Sequence, residues 1–470
     1  MTIEEILKGE SKTVEFKQEL PVNHKKYMNS VVAFANGAGG MIVIGVEDKS
    51  RHIVGVSEEE VFQLIDSITN AVSDSCTPQI IPDVKLHTID NKTIILVKIS
   101  AGANRPYYVK SLGRDEGTFI RVSGTTRKAA SNIIKELELM GQNLHYDQML
   151  AIGRSVSLSQ IEQFCKRLKK IALESCDSEA ERITVRDMTI TKLQNWGVLK
   201  LLEDEPLPTN AYILLTENDF PHATIQCGLF KGVDRYNFLD RKEFDGNLYE
   251  QLEEAYKFVM KNINVASAIN GLQRIDRHEL PPVAIREVLA NAVVHRSYVD
   301  EGCIQVAIFD DRVEVVSPGM LYGGLDIPAI LDGQSKIRNR GIANAFLYMR
   351  IIEKWGTGIE RVLKSCEEYG LRKPRFEEVG TAVKVTIYRH TDEAVNNEIN
   401  VYTKEKIANE EKIVKYLELE KDDKVNTSKV MEICGYKSRS AAYKVLNKLH
   451  IEGTLEKMGK GRGTQYKLKE

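Results

Sequence analysis

The chain has 470 residues, of which 42% are hydrophobic and 28% charged, with a formal net charge of −2. This length allows several domains, and the composition is typical of globular chains. No apolar run approaches the roughly 18 residues of a membrane-spanning helix, and the acidic start Met1–Glu5 does not fit a signal peptide. The seven cysteines are scattered without a C-x-x-C pair, which argues against zinc and predicts a cytoplasmic protein without membrane contact.

The first 135 residues contain a helix, several strands and two sequence motifs. The predicted elements are the helix His24–Ala35, the strands Met41–Val46 and Thr93–Ile99, and a hairpin of Tyr107–Lys110 with Thr118–Val122. Residues 10–17 fit E-x-x-x-x-E-F-K, and residues 33–48 fit A-F-A-N-x-x-G-G-x-x-x-I-G-V-E-D. These motifs resemble those of the Schlafen Alba-like (AlbA_2) domain. We therefore expect an α/β domain of that type over residues 1–135.

Cations and aromatic residues alternate near the end of this predicted domain. Arg121 and Arg127 belong to a larger group that contains Arg105, Lys110, Arg114 and Lys128, interleaved with Tyr107, Tyr108 and Phe119. Cations bind phosphates and aromatic rings stack on bases, so the group favours contact with nucleic acid, with DNA as the expected partner and RNA as the alternative. The alternative is that a hairpin places these charges on one solvent-exposed face without any ligand.

Three carboxylates in the same domain raise the possibility of catalysis. Glu10 and Glu15, followed by Asp48 or its neighbour Glu47, are spaced as in the vertebrate Schlafen ribonucleases. That resemblance implies a metal-dependent nuclease site, because clustered carboxylates can hold a divalent metal ion for phosphodiester cleavage. The alternative is that Glu15 pairs within the fold, since bacterial relatives carry the same residues in proteins regarded as regulators.

A polar, helical connector is predicted over residues 136–205, and it leads into the next domain. Polar breaks separate the predicted helices Ala129–Met140, Leu158–Ile171 and Met188–Trp196. Beyond the connector, Ala211–Thr216 is predicted as an apolar strand, and a long helix is predicted from Leu248 to Met260.

The stretch from Pro281 to Tyr298 predicts a helix with one polar stripe. With Glu287 at zero, Asn291 falls near 40° and His295 near 80° around the axis, opposite an apolar face. The three side chains therefore extend along about 12 Å of one side of the helix. A carboxylate can deprotonate water, and an Asn oxygen can bind Mg²⁺. The spacing E-x-x-x-N-x-x-x-H resembles the N-box of the GHKL ATPases, whereas the alternative is a solvated polar face.

The elements that follow extend this resemblance. They are a hairpin of Ile304–Phe309 with Val313–Val316, the loop from Ser317 to Gly324, a helix Glu360–Tyr369 opened by Gly356-Thr357-Gly358, and a closing strand Val383–Tyr388. Glycines before a helix expose N–H groups to phosphate. The order resembles the GHKL (Bergerat) two-layer α/β sandwich over residues 206–390. The resemblance implies an ATP site with Glu287 as base and Asn291 as Mg²⁺ ligand, and with nucleotide contacts from His295, Ser317, Gly319, Gly356 and Gly358.

The first glycine loop of this domain differs from the family pattern, and the role of Arg338 has two alternatives. Ser317-Pro318-Gly319 stands where the family has D-x-G-x-G, whose Asp reads the adenine amino group. This variant resembles the divergent ATPase domain of Schlafen-associated bacterial regulators. Arg338 lies in the basic stretch 334–340, where the family has its lid, so it either approaches phosphates or belongs to a solvated loop.

The last 62 residues, 409–470, follow a polar linker predicted at 391–408. Three helices, Ile413–Leu419, Thr427–Cys434 and Ser438–His450, precede the strands Leu455–Lys457 and Thr464–Leu468, an order that resembles a winged helix-turn-helix. From Asn426 to Glu470, ten Lys/Arg face four Glu, a net charge of +6. DNA contacts are expected from Arg439 and Lys444 on the third helix and from Lys457, Lys460 and Arg462 in the wing. The alternative is a winged helix used for protein contacts.

Taken together, these patterns predict an α+β multidomain protein that resembles bacterial ATP-binding transcriptional regulators. We expect a cytoplasmic, DNA-binding regulator that binds ATP with Mg²⁺ and responds to it by a change of conformation or by forming a homodimer. The alternative is an ATP-gated, Schlafen-like nuclease. A P-loop motor is not supported, because the chain lacks G-x-x-x-x-G-K-[ST].

Overall fold

The computed structural model describes residues 6, 9–21, 25–57, 59–217, 220–270, 273–353, 356–389, 412–414, 416–417, 424–436, 438–459 and 464–469. These residues form two compact units, Met1–Arg389 and His390–Glu470. None of the helices in the described ranges combines the length and the apolar character that a membrane crossing requires. The predicted linker 391–408 lies outside the described residues.

The larger unit begins with a mixed α/β region. Its elements are β1 Val14–Lys17, α1 Lys25–Asn36, β2 Gly40–Ile44, α2 Val61–Ser75, β3 Cys76–Thr77, β4 Asp83–Ile89, β5 Lys92–Ile99, β6 Tyr108–Val109, α3 Gly113–Gly117, β7 Phe119–Val122, β8 Thr125–Lys128 and α4 Ser131–Gly141. Four strands form a sheet in the order β1-β2-β5-β4, in which only β1 and β2 are parallel. Apolar residues of α1 and α2 share one core with this sheet, which confirms the predicted helix and both strands.

The predicted hairpin of Tyr107–Lys110 with Thr118–Val122 is wrong. β6 pairs with β3, whereas β7 pairs with β8. The turn that joins β7 and β8 is Ser123-Gly124, with φ of 47° and 83°, and a two-residue turn with positive φ at both positions is the favoured hairpin connection. Asn36 of the A-F-A-N motif connects the start of β6 with β7. Its Nδ2 donates to the carbonyl oxygens of Tyr107 (2.8 Å), just before β6, and Phe119 (2.9 Å) of β7.

The rest of the larger unit is built on a six-stranded sheet. Its elements are α5 Leu158–Glu174, α6 Glu179–Thr184, α7 Ile190–Asn195, β9 Leu199–Leu202, β10 Glu205–Pro208, α8 Asn210–Thr216, β11 Ile225–Phe230, β12 Phe238–Phe244, α9 Leu248–Asn262, β13 Val265–Asn270, β14 Gln273–His278, α10 Pro282–His295, β15 Ile304–Ile308, β16 Arg312–Pro318, α11 Ile327–Leu331, α12 Arg340–Tyr348, α13 Gly358–Glu368, β17 Arg375–Val379 and β18 Ala382–Tyr388. The strand order is β12-β11-β15-β16-β18-β17, and only β11 and β15 are parallel.

The helices α9 and α10 pack against this sheet, and α10 also packs against both α9 and α13. Alternate sheet residues such as Val306, Val313 and Val315 enter the same core as the apolar residues of α10, as the two-residue period of a strand requires. The predicted hairpin and the predicted helices in this region are confirmed.

The prediction of a strand at Ala211–Thr216 is wrong, because these residues belong to helix α8. Ala211 to Leu215 are all buried, at 0–4% exposure. An apolar run this short has the same pattern in a buried strand and in a buried helix, so its period carries no information.

The smaller unit contains helical residues at 412–414 and 416–417, then α14 Thr427–Cys434, α15 Arg439–Ile451, β19 Leu455–Met458 and β20 Gln465–Leu468. Asn426 caps α14, since its side chain accepts a hydrogen bond from the backbone N–H of Lys429. β19 and β20 are antiparallel, and Leu455 and Tyr466 pack with Val430 and Leu446 in one core.

Candidate functional site

Helix α10 forms one wall of a cavity in the larger unit. Pro281 and Pro282 begin the helix, as expected for residues without a backbone N–H. Its polar residues Glu287, Asn291 and His295 all line this cavity, which has a volume of about 430 Å³. The other walls come from β16, the loop after it, α12 and the start of α13. The structure therefore brings the predicted site residues of this domain to one place, with Arg338 as the exception.

Glu287 is the most buried of the three polar residues, at 3% exposure. Its Oε1 accepts a hydrogen bond from Arg361 Nη1 at 2.7 Å, and Arg361 also pairs with Glu353. Burial raises the pKa of the Glu287 carboxyl, although the neighbouring guanidinium of Arg361 acts in the opposite direction. A carboxylate with a raised pKa lies nearer the range in which a general base works well at neutral pH.

Gly356 and Gly358 lie where α13 begins and line the same cavity. A Cβ at Gly358 would lie 2.8 Å from Glu287 Oε2 and 3.4 Å from Asn291 Nδ2. Gly356 has φ of +67°, a conformation that favours glycine. Glycine at 358 therefore allows the N-terminus of α13 to approach the Glu287 carboxylate closely.

His295 and Ser317 lie at the far end of the helix from Glu287. Burial, with a smaller contribution from the positive charge of Arg338, lowers the pKa of His295 to about 4, so its imidazole is neutral near pH 7. Ser317 Oγ donates to the carbonyl oxygen of Ala292 at 2.8 Å. Its proton is therefore used within the protein, and its oxygen can only accept a further hydrogen bond.

The loop after β16 separates the cavity from the AlbA_2-like region. Gly319, Met320, Leu321, Tyr322 and Leu325 line the cavity on one side and a smaller space of about 50 Å³ beside helix α4 on the other. We call residues 319–325 the shared wall.

Arg338 does not face the cavity as a free cation, which corrects the expectation of a phosphate contact. It is 6% exposed, and its Nη1 donates to Glu136 Oε1 at 2.6 Å on the α4 side of the shared wall. Its Nη2 donates to the carbonyl oxygen of Met320, and a Cβ at Gly319 would collide with the guanidinium. Among the described residues, the cations that line the cavity are Lys336 and Arg340 from the same stretch.

The donor set suits one hydrated Mg²⁺ held with a phosphate chain, because Mg²⁺ usually keeps several waters and takes one or two protein ligands. Asn291 offers the amide oxygen, and the cavity that Asn291 and Gly358 line offers room for phosphate oxygens. Among the described residues, no group of three or more His, Cys, Asp or Glu is placed to hold a metal ion by itself.

Glu10, Glu15 and Asp48, which the sequence suggested as a nuclease site, therefore do not form such a group. Glu15 is 6% exposed, and its two carboxylate oxygens pair with Lys17 Nζ and Arg121 Nη1, each at 2.7 Å. Glu10 Oε1 accepts from the backbone N–H of Phe16 at 2.9 Å, and burial raises the pKa of Glu10. Glu15 thus has the pairing role that was the alternative to catalysis.

Arg121 is therefore not a surface cation, which corrects its expected role in nucleic-acid contact. It is 3% exposed, and its Nη2 donates to the carbonyl oxygen of Ser11 at 2.8 Å. Arg127, on strand β8, is exposed. Across the β7–β8 hairpin, Arg121 pairs with Thr126 and Arg127 pairs with Ile120, so the two arginines lie on opposite faces.

In the smaller unit, Arg439 and Lys444 are exposed on α15, and Lys457 is exposed on β19. Lys460 and Arg462 lie outside the described residues.

Three family models match the chain. Residues 10–130 match SLFN_AlbA_2 (Schlafen, AlbA_2), residues 302–387 match HATPase_c_4 (ATP-dependent DNA helicase recG C-terminal), and residues 409–469 match DIP2311-like_C (transcriptional regulator DIP2311-like, C-terminal domain). The chain combines these three domains. These matches confirm the resemblance predicted from the motifs.

The solved structures that match this chain include the following two. The DIP2311 protein from Corynebacterium diphtheriae is 18% identical, with a TM-score of 0.42, over 97% of this chain and 92% of that chain. The N-terminal domain of a RecG-related protein from Nitrosomonas europaea is 21% identical, with a TM-score of 0.21, over 27% of this chain and 90% of that chain.

Sequence reasoning missed three residues that shape the HATPase_c_4 domain. They are Arg361, which binds Glu287; Glu136, which binds Arg338; and Asp147, whose Oδ2 accepts from the backbone N–H groups of Gly341 (2.7 Å) and Ile342 (3.0 Å) at the start of α12. A local signal existed only for Arg361, which lies one helical turn after the second glycine of G-T-G.

Proposed function

We propose that this protein is a transcriptional regulator that binds ATP with Mg²⁺ in the cavity beside α10 and binds DNA through its C-terminal unit. The observation that supports this best is the convergence of Glu287, Asn291 and His295 with Gly356 and Gly358 around one cavity of about 430 Å³. That volume falls in the usual range of small-molecule sites.

In this proposal the HATPase_c_4 domain is a GHKL-type sandwich, and the phosphates lie between α10 and the N-terminus of α13. The N–H groups at that terminus donate to phosphate oxygens, and the helix dipole favours negative charge there. Asn291 holds the magnesium ion, which neutralises charge on the phosphates when bound. The purine lies toward Ser317 and His295, and Glu287 receives a proton from the attacking water.

The DNA part of the proposal rests on charge and exposure. The C-terminal unit is a winged helix in which α15 enters the major groove, with Arg439 and Lys444 exposed on it. The strands β19 and β20 form the wing, where Lys457 is exposed. A homodimer formed on ATP binding would present two such units to the two halves of a DNA site. The exposed Arg127 of the AlbA_2 domain is available for a further phosphate contact.

The nucleotide part is tested by calorimetric titration of the full chain with ATP and Mg²⁺. Asn291→Ala should lower ATP affinity at least tenfold in Mg²⁺ and remove the dependence of binding on Mg²⁺. Asn195→Ala is a matched control, since Asn195 is exposed on α7. Equal ATP affinity in wild type and Asn291→Ala would contradict the proposed site.

The DNA part is tested by fluorescence anisotropy at several salt concentrations. Replacing Lys457, Lys460 and Arg462 by Ala should weaken binding to every DNA sequence equally and lower the log–log salt slope by up to about 0.9 per lost phosphate contact. Replacing Arg439 and Lys444 should instead reduce the preference among sequences, by roughly 1–3 kcal/mol per base contact.

The matched control removes the same number of charges elsewhere, through Ala at Lys166, Lys169 and Lys170 of α5. If this control lowers the salt slope as much as the wing variant does, the C-terminal unit is not the DNA-binding surface.

A further inference from the structure

We propose that Arg361 is a positioning residue that senses the terminal phosphate: it holds Glu287 until that phosphate draws its guanidinium away, and only then can Glu287 accept a proton from water. This inference rests on the proposed ATP site and adds a residue that distinguishes a nucleoside triphosphate from a diphosphate.

The geometry around Arg361 supports this role. Its Nη1 donates to Glu287 Oε1 at 2.7 Å, its Nη2 pairs with Glu353, and its side chain keeps 32% exposure. Both carboxylates line the cavity. Arg361 therefore sits behind the two acidic groups that an incoming phosphate meets.

The position of Arg361 on α13 places it close to the expected phosphate. Its backbone N–H donates to the carbonyl oxygen of Thr357 at 2.9 Å, so Arg361 belongs to the first turn of the helix that Gly358 begins. Phosphate bound at that N-terminus lies next to this turn. Gly358 brings this N-terminus against the Glu287–Arg361 pair, because a Cβ at Gly358 would lie 2.8 Å from Glu287 Oε2.

The guanidinium of Arg361 can bind either the two carboxylates or a terminal phosphate, and electrostatics favours the phosphate. Without rearrangement, Glu287 and Glu353 together carry one more negative charge than Arg361 neutralises, and they would repel a phosphate chain. A guanidinium binds phosphate through two parallel charge-assisted hydrogen bonds, which single contacts to two separate carboxylates do not provide. A terminal phosphate therefore competes well for Arg361, whereas a diphosphate, which ends one phosphoryl group earlier, does not reach it.

Release changes Glu287 from a paired carboxylate into a base. Its oxygen loses a hydrogen bond to a cation and gains a free lone pair for a water proton. In the step that follows, the water oxygen forms a bond to the terminal phosphorus, and the bond from that phosphorus to the diphosphate oxygen breaks. The water proton goes to Glu287 and then to the departing phosphate, so the products are ADP and inorganic phosphate.

A purely structural pair would give different results. If Arg361 only ties α13 to α10, its replacement lowers stability and affects ATP and ADP alike. If Arg361 senses the terminal phosphate, its replacement acts on ATP alone. Glu287 then also has different partners in the free protein and in the ATP complex.

The experiment compares the full-length wild type, Arg361→Met and Arg361→Lys by calorimetry with ATP and with ADP in Mg²⁺. We expect Arg361→Met to bind ATP at least tenfold more weakly while its ADP affinity changes less than threefold. Arg361→Lys keeps the charge without the bidentate geometry, and its loss should be intermediate. Arg372→Met is the matched control, because Arg372 is an exposed arginine that does not line the cavity.

The pH dependence of ATP hydrolysis gives a second measurement. The acidic limb of kcat/KM reports the free enzyme and that of kcat reports the ATP complex. In wild type, the acidic limb of kcat should lie at higher pH than that of kcat/KM. Arg361 lowers the pKa of Glu287 in the free enzyme, and this effect is lost when Arg361 leaves Glu287 in the ATP complex. In Arg361→Met the two limbs should coincide.

Each outcome has one meaning. If the wild type does not bind ATP, the proposed function and this inference both fail. If the wild type binds ATP but Arg361→Met weakens ATP and ADP equally, or keeps the separation of the two limbs, only the role of Arg361 is refuted.

Discussion

The buried carboxyl of Asp147 should make the stability of the larger unit depend on pH in a predictable direction. Asp147 is 0% exposed, and its Oδ2 accepts two backbone hydrogen bonds at the N-terminus of α12, while its Oδ1 has no partner among the described residues. Burial raises its pKa from 3.8 to about 6, although the hydrogen bonds from Ile342 and Gly341 act against this shift.

The sign follows from the direction of the shift. Because the folded protein binds the proton more tightly than the unfolded chain does, this group favours folding most at low pH. That contribution is complete below about pH 4 and is lost as the pH rises through about 6. A shift of this size corresponds to about 3 kcal/mol in the free energy of unfolding, most of it lost between pH 4.5 and 7.5.

The perturbation is Asp147→Asn, whose amide oxygen can still accept both backbone hydrogen bonds without a charge. Relative to this variant, the wild type should lose about 2 kcal/mol of unfolding free energy between pH 4.5 and 7.5. The assay is urea unfolding followed by tryptophan fluorescence, since Trp196 lies 5.8 Å from Tyr348 at the end of α12 (ring centroids).

The control is Asp326→Asn, which removes a helix-capping carboxylate that is only partly buried. A stability difference between wild type and Asp147→Asn that stays constant from pH 4.5 to 7.5, or that moves in favour of the wild type, would refute this account of Asp147.

The remaining predictions concern the cavity and the AlbA_2 domain. Gly358→Ala puts a Cβ 2.8 Å from Glu287 Oε2, so calorimetry should show at least tenfold weaker ATP binding with an unchanged circular dichroism spectrum; wild-type affinity would contradict the proposed phosphate position. Glu15→Ala leaves the buried Arg121 without its carboxylate, so urea unfolding should show a loss of about 3–5 kcal/mol, and a loss below 1 kcal/mol would argue against a buried pair. His295, with its pKa lowered to about 4, should show no histidine titration by NMR between pH 5.5 and 8, and a midpoint in that range would contradict its burial.

The parts of the fold that the sequence predicted are those set by local pattern. Helix α10 and the β15–β16 hairpin have clear periods and clear start and stop signals, and the structure has them at nearly the predicted residues. The same is true of α14, α15 and the strands after them. The α8 run carried no period, and the pairing of β6 with β3 joins residues too far apart for a turn signal to reveal it.

The residues of the candidate site that lie on one helix were predicted. The residues that contact them from distant parts of the sequence were missed. Glu287, Asn291 and His295 needed only a helical wheel. Their partners lie far away in sequence: Arg361 is 74 positions from Glu287, and Glu136 is 202 positions from Arg338. Composition marks Arg338 and Arg121 as cations but cannot say that each is buried against a carboxylate, because that depends on tertiary packing.

The shared wall, residues 319–325, has a different neighbour on each of its two faces. On one face it bounds the cavity beside α10, and on the other it meets α4, while Leu321 N–H donates to Glu378, which also binds Lys12 of the AlbA_2 domain. A substitution that improves contact with a ligand must therefore also preserve the packing of the AlbA_2 domain. Changes in ligand preference during evolution should consequently occur together with changes on α4, so that homologues with a different loop after β16 also differ at positions such as Ile133 and Glu136.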